Sequence, residues 1–220
     1  MLGSGPVEQV RIEQFTARIT AVSAPPWVVP VGLLGGAATG VLARVWMRWI
    51  SDTPEFSWPG TLGIISAFAL FGTVQSAAWM ARSAQSSRPK LTLVRFAALT
   101  LSLGLFGAAG ALMFPTVALA SLALWRSDWP RWIRMLLAIA AMPMIIYVAN
   151  NVGHDKGWNP MTVARITLFL IIYTTIILAT WPTVTPLADG WHGGRILWAV
   201  SLSIPALFLA RLIVALVLRN

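Results

Sequence analysis

Long uncharged stretches dominate this chain and restrict what it can fold into. Charged residues are absent from 56–81, 96–125, 135–153 and 166–188. A helix needs roughly 20 consecutive apolar residues to cross the hydrocarbon core of a bilayer, and soluble domains seldom contain even one such stretch. The chain is therefore predicted to be an all-α polytopic membrane protein, a bundle of transmembrane helices.

The composition excludes several other classes of protein. Hydrophobic residues make up 57% of the chain and charged residues 10%, whereas a soluble domain carries roughly 25% charge. The formal net charge is +9, but the basic residues follow the ends of the apolar stretches, where they face lipid head groups. Nucleic acid is therefore not an expected partner. The chain has no cysteine and two histidines, so disulfides and thiolate metal sites are excluded, and no metal or cofactor is expected.

The chain divides into a short N-terminal segment and one membrane domain. Residues 1–24 include an amphipathic stretch that is predicted to lie as a helix in the membrane interface, with a frayed polar tail as the alternative. Residues 25–220 are predicted to form a single transmembrane helical domain. Its spans are expected at 27–46, 59–81, 91–108, 111–126, 131–150, 161–182 and 194–218.

The stretch 91–125 decides the number of spans. As one straight helix it would measure roughly 52 Å, which is too long for a hydrocarbon core of about 30 Å. Gly107 and Gly110 near its middle predict a hairpin of two short spans with an external turn at 107–110, which gives seven spans in total. The alternative is one ordinary span followed by a buried re-entrant piece, which gives six.

Basic residues near the span ends set the orientation, because they are retained on the cytoplasmic side. Both arrangements place the N-terminus and the basic loop 82–95 in the cytoplasm. The seven-span arrangement puts about twice as many Lys and Arg residues inside as outside, and the six-span arrangement gives a smaller excess. Seven spans are therefore preferred. Most of the tryptophans fall near the predicted span ends, where an indole ring favours the head-group level.

Three glycines recur at every fourth position of the first span. Gly32, Gly36 and Gly40 lie on one helix face and allow another helix backbone to approach closely, in the manner of a glycine zipper. Packing against a neighbouring span of the same chain is preferred over a homodimer interface, although small-residue faces serve both.

The connector after the first span is a candidate binding site. Arg44, Arg48 and Asp52 share a helix face at four-residue spacing, and Glu55 and Trp58 follow. An ordinary connector with interfacial anchors is the simpler interpretation. The functional interpretation is a site for an anionic lipid head group or a partner protein, with the two arginines as its main ligands.

The most polar loop contains a second candidate site. Asn150 and His154 are four residues apart, and Asp155 follows, so His154 is a candidate proton carrier. An ordinary solvated loop is the simpler interpretation. Asn159 followed by proline predicts the start of the next span. The other histidine, His192, lies one span later and hence on the opposite face, which argues against one metal site that uses both.

Two segments carry a resemblance to a known group of proteins. The run RVWMRWISDTPEFSWPG at 44–60 and the stretch 110–131 resemble segments of small uncharacterised membrane proteins of high-GC Gram-positive bacteria. The resemblance implies a multi-pass protein of the bacterial cytoplasmic membrane. It implies no activity.

Three classes of function remain open. The preferred class is a structural or accessory subunit, or a partner-binding membrane protein, rather than an enzyme. The second is a small transporter or lipid-binding protein that uses Arg44 and Arg48. The third is an intramembrane enzyme centred on Asn150, His154 and Asp155. Membrane lipids are expected partners, together with other membrane subunits or a second copy of the chain.

Overall fold

A computed structural model of the chain describes residues 25–52, 56–84 and 87–186, and in these ranges all regular structure is helical. Five helices are long and apolar enough to cross a bilayer, which confirms a helical, multi-pass membrane protein. The predicted interfacial helix within 1–24 and the predicted span at 194–218 lie outside the described residues, as do Glu55 and His192.

The described residues form six helices of twelve residues or more, followed by one short turn of helix. They are α1 Val28–Ile50, α2 Trp58–Ser83, α3 Arg88–Ala109, α4 Phe114–Trp125, α5 Arg131–Lys156, α6 Pro160–Ala179 and the four-residue α7 Trp181–Val184.

Local sequence signals fix where two of these helices begin. The side chain of Ser57 accepts a hydrogen bond from the backbone N–H of Gly60 at 3.3 Å and caps α2. Asn159 accepts from the N–H of Thr162 at 2.9 Å and caps α6, which confirms the helix start predicted there. In both helices a proline in the first turn has no N–H to leave unsatisfied.

The stretch 91–125 is not one straight helix. Residues 107–109 remain helical, so the break comes later than predicted, at Gly110, whose φ of +116° favours a residue without a Cβ. A single turn of 3₁₀-helix follows, and then α4 begins. The rings of Phe106 and Phe114 lie 5.0 Å apart at one end of α4. At its other end Trp125 donates a hydrogen bond to the carbonyl oxygen of Ile177 at 2.9 Å, so α4 lies alongside α6.

The three glycines of α1 lie against α2. A Cβ atom on Gly36 would fall 2.3 Å from the carbonyl oxygen of Phe68, and one on Gly32 would fall 2.5 Å from that of Gly72. A Cβ on Gly40 would approach the Cα of Ile65 to 2.9 Å. The glycine face is therefore occupied by a neighbouring helix of the same chain, and the two backbones are in direct contact.

The apolar core joins α1, α2, α3, α4 and α6. Its largest fully buried side chain is Phe68, and the cluster around it includes Phe71, Leu105, Val117 and Ile172. Helix α5 lies outside this core and contributes few buried residues. The bundle is therefore centred on the other helices, with α5 attached along α4.

Trp46 joins α1 to α6. Its indole N–H donates to the carbonyl oxygen of Arg165 at 2.8 Å, and its ring centroid lies 5.1 Å from that of Phe169. Trp27 and Trp58, by contrast, are 60% and 67% exposed, as expected of residues at the membrane interface. Tryptophans near predicted span ends therefore have different roles: Trp46 packs inside the bundle, whereas Trp27 and Trp58 are exposed at its ends.

Candidate functional site

The structure places the residues of the first connector near one end of the bundle, and most have partners in the protein. Arg44 Nε donates to Thr61 Oγ1 at 3.1 Å, and the guanidinium of Arg48 lies over the ring of Phe56 at 5.4 Å. Asp52 forms an ion pair with Lys156 at the end of α5. The connector thus joins α1 to α2 and α5.

The second candidate, Asn150, His154 and Asp155, lies at the same end of the bundle in the last turns of α5. His154 and Asp155 are exposed, and Asn150 and His154 border an open depression beside Trp158. Within the described residues no group of three or more His, Asp or Glu side chains could hold a metal ion. The proton-carrier hypothesis stays a prediction.

A larger cavity lies toward the opposite end. It is a groove of about 930 Å³ between α1 and α2 on one side and α4 and α6 on the other. This volume is at the upper end of the range of small-molecule sites, roughly 300–1,000 Å³. The residues that line the groove are mostly small or apolar. They include Gly35, Gly36, Phe68, Phe71, Gly72, Gln75, Trp79, Leu124, Trp125, Thr175, Ile176, Trp181, Pro182 and Thr185.

One wall of the groove is open because it carries no side chain. A Cβ atom on Gly35 would meet nothing within 4 Å, although the neighbouring Gly36 is pressed against α2. The sequence pattern identified the packing face of α1. It gave no sign that Gly35, one residue away, borders a cavity.

Beside the groove lies a buried network of neutral polar side chains. Gln75 Nε2 donates to Ser102 Oγ at 3.1 Å, and Thr183 Oγ1 donates to Gln75 Oε1 at 3.1 Å. Nearby, Thr180 Oγ1 donates to Ser121 Oγ at 2.8 Å. These bonds satisfy groups that would otherwise be costly to bury, and they link α2, α3 and α4 to the segment 180–186.

Two arginines hold that segment in place. Arg95 donates from Nε to the carbonyl oxygen of Thr183 at 2.8 Å and from Nη2 to that of Thr185 at 3.0 Å. Arg82 donates from Nη1 to Thr185 O at 2.9 Å and from Nη2 to Pro186 O at 3.3 Å. Carbonyls at a helix end have no partners within the helix, and the forked guanidinium reaches two of them at once.

Sequence reasoning treated Arg82 and Arg95 as part of a basic cytoplasmic loop and missed this role. The available signal was position. Arg95 lies inside the apolar helix α3 and is only 7% exposed. A charged residue within a membrane helix normally faces the bundle interior and has a specific partner there.

The groove ends among further basic and aromatic residues. Arg134 borders it and donates from Nε to Ala123 O at 2.8 Å. Arg126, between the groove residues Trp125 and Ser127, forms an ion pair of 2.7 Å with Asp128. We call the part of the molecule that carries Arg82, Arg95, Arg126 and Arg134 the basic end.

Comparisons with known proteins give no further indication of function. No protein-family model matches the chain, and no curated protein or solved structure is significantly similar to it. The resemblance of 44–60 and 110–131 to bacterial membrane proteins stays a prediction. The groove and the basic end therefore carry the indications of function.

Proposed function

We propose that this protein is a lipid-binding accessory protein of the bacterial cytoplasmic membrane, and that the groove holds the hydrocarbon part of a membrane lipid. The observation that carries the proposal is an apolar groove of about 930 Å³ that borders a basic, tryptophan-lined end. A lipid has the same division, because an apolar chain is joined to a polar head group.

The lining supports a ligand with one polar end. Along the helices the groove is bordered mainly by glycine and other apolar residues, and the hydroxyls of Thr39 and Thr175 donate to their own helix backbones. At the basic end it is bordered by Trp79, Trp125 and Trp181, together with Arg134. Indole rings favour the boundary between hydrocarbon and head groups, so a lipid would lie with its head at this end.

The groove is a better candidate than the connector that carries Arg44 and Arg48. Arg44 is hydrogen-bonded to Thr61, and Arg48 lies over Phe56. Asp52 beside them is paired with Lys156. The groove, by contrast, offers space for hydrocarbon that the connector does not.

The proposal includes seven spans with the N-terminus and the basic end in the cytoplasm. Two features support this orientation: the turn at Gly110, and the arginines gathered at one end of the bundle. The predicted span at 194–218 would then leave the C-terminus outside.

Fusions to the C-terminus test this topology. Alkaline phosphatase, which is active only outside the cytoplasm, should be active when fused after Asn220. Green fluorescent protein fused at the same place should be dark. A fluorescent fusion with inactive phosphatase would contradict seven spans, and fusions at the N-terminus provide the matched control.

Substitution of Gly35 tests the groove. Because its Cβ position is open, Gly35→Trp should fill the groove without separating α1 from α2. We expect the variant to fold but to retain at least about tenfold less phospholipid after detergent purification, a loss of roughly 1.4 kcal/mol of binding free energy. Native mass spectrometry would measure the lipid that remains bound.

Gly63→Trp is the matched control for that experiment. Gly63 lies on α2, its Cβ position is equally open, and it does not border the groove. The control should retain lipid like the unmodified protein. Equal lipid retention in the two variants would rule out the groove as the binding site.

A role as a subunit of a larger membrane assembly is the second candidate. Helix α5 favours it, because its apolar side chains are largely exposed in the described structure. Met135, Ile139 and Ile146 are 64%, 63% and 54% exposed along one side of the helix. Such a face can pack against another membrane subunit as well as against lipid.

A further inference from the structure

The proposed groove would hold hydrocarbon, but hydrocarbon is common to all membrane lipids. We propose that the arginine cluster of Arg82, Arg95 and Arg126 binds the phosphate of an anionic phospholipid head group. This inference rests on the proposed function and adds the chemical class of the lipid that the groove accepts.

Uncompensated charge is the first reason. The acceptors of Arg82 and Arg95 are neutral carbonyl oxygens, and both arginines donate to the same one, Thr185 O. Arg126 lies between Trp125 and Ser127, which line the same groove as Thr185. Among the described residues the carboxylate found at this end is Asp128, which is paired with Arg126.

Such an arrangement favours an additional anion. Gathering like charges in a place of reduced dielectric is costly, and a counter-charge lowers that cost. One carboxylate cannot balance three guanidinium groups. A phosphate group carries negative charge and several acceptor oxygens, so it can meet more than one arginine at once.

Unsatisfied donors are the second reason. The Nε–H groups of Arg82 and Arg126 are buried and have no hydrogen-bond acceptor among the described residues. Buried donors normally have a partner, and a few unpaired ones point to a ligand or ion. Two guanidinium groups of one cluster therefore retain donor capacity.

The position of the cluster beside the groove is the third reason. Thr185, to which both Arg82 and Arg95 donate, borders the groove, and so do the two chain neighbours of Arg126. A head group at the cluster would be adjacent to the hydrocarbon below it. In the proposed orientation this end faces the cytoplasmic leaflet, which is rich in anionic lipids.

Aromatic rings hold two of the guanidinium groups in position. The Arg82 group lies over the ring of Trp181 at 5.5 Å, and that of Arg126 lies over Trp129 at 5.1 Å. A guanidinium held in this way loses less freedom when it binds, and its planar fork matches phosphate oxygens. Lysine would supply the charge without the fork.

Head-group preference provides the test. The protein would be reconstituted in vesicles of phosphatidylcholine and phosphatidylglycerol, extracted, and analysed by native mass spectrometry for bound lipid. We expect phosphatidylglycerol to be enriched about fivefold over its bulk fraction, which corresponds to about 1 kcal/mol. The variant Arg126→Gln should lose this enrichment and bind phosphatidylglycerol and phosphatidylcholine in their bulk ratio.

Two further variants sharpen the result. Arg126→Lys keeps the positive charge and serves as the test if Arg126→Gln does not fold. It should reduce the enrichment at least about twofold, because lysine lacks the planar fork of arginine. Arg48→Gln is the matched control, since Arg48 also lies over an aromatic ring but at the other end of the bundle. It should leave the enrichment unchanged.

The outcomes separate this inference from the proposed function. Lipid that is retained without preference for phosphatidylglycerol would overturn the inference and leave lipid binding intact, whereas no retained lipid would overturn both. Loss of the phosphatidylglycerol preference in Arg48→Gln would show that the head group binds at the first connector, and would contradict binding at the arginine cluster.

A free anion is the remaining outcome to distinguish. Inorganic phosphate, added in detergent at the same ionic strength as a chloride control, should protect the protein against heat far less than phosphatidylglycerol does. Equal protection by phosphate alone would show that the cluster binds the free ion, and would contradict a lipid head group.

Discussion

Replacing Arg95 with methionine is expected to lower the free energy of unfolding by about 3 kcal/mol. The substitution keeps an unbranched apolar stem but removes the guanidinium group and every donor, so the carbonyl of Thr183 loses its guanidinium partner and that of Thr185 keeps only Arg82. Each buried acceptor left unsatisfied costs roughly 1–3 kcal/mol, and hydrogen bonds from a charged donor lie at the upper end. Unfolding in mixed micelles by sodium dodecyl sulfate would measure the loss.

Two other variants show whether the hydrogen bonds cause that loss. Arg95→Lys should give an intermediate value, because an ammonium group reaches these carbonyls without the fixed fork. Lys90→Met, on the same helix at an exposed position, should change stability by less than about 0.5 kcal/mol. If Arg95→Met were no more destabilising than Lys90→Met, the segment 180–186 would not depend on Arg95.

The variant Gly36→Leu is expected to lower the free energy of unfolding by roughly 3 kcal/mol. Its Cβ would lie 2.3 Å from the carbonyl oxygen of Phe68, and that atom belongs to the backbone of α2 and cannot move aside. The two helices must separate, so the cost should reach the upper end of the range for overpacked cores, roughly 1–3 kcal/mol.

Gly63→Leu is the control for the contact between α1 and α2. A Cβ there meets nothing within 4 Å, and leucine favours helix over glycine, so stability should be unchanged or slightly higher. Thermal unfolding in detergent would compare the two. Equal melting temperatures would show that α1 and α2 tolerate a leucine side chain between them.

The membrane class and most helix positions could be predicted, because both depend on local sequence. An uncharged stretch must be a buried or lipid-facing helix whatever surrounds it, and Asn159 before a proline starts a helix through bonds to its own neighbours. The break in 91–125 was also predictable from length. Its position was not, because 107–109 gain helical bonds before Gly110 ends the helix.

The groove and the basic end could not be predicted, because they arise from contacts between distant residues. Arg82 and Thr185 are 103 positions apart, and Gln75 and Thr183 are 108 apart. Trp46 shows the same limit. Its place at a span end predicted an interfacial anchor. In the structure the ring packs on Phe169, and the indole N–H donates a hydrogen bond to the backbone of α6. A one-dimensional pattern gives the depth of a residue in the membrane, not the direction in which it points.

The hydrogen bonds from Arg82 and Arg95 to backbone carbonyls constrain residue identity more at the donor positions than at the acceptor positions. The donors are side chains, so a change at either arginine removes them directly. The acceptors belong to the backbone, and many residue types at 185 could present the same oxygen if the chain kept its path. Over evolution the arginines should therefore persist while Thr185 varies, and the two positions would show little correlated change although they are in direct contact.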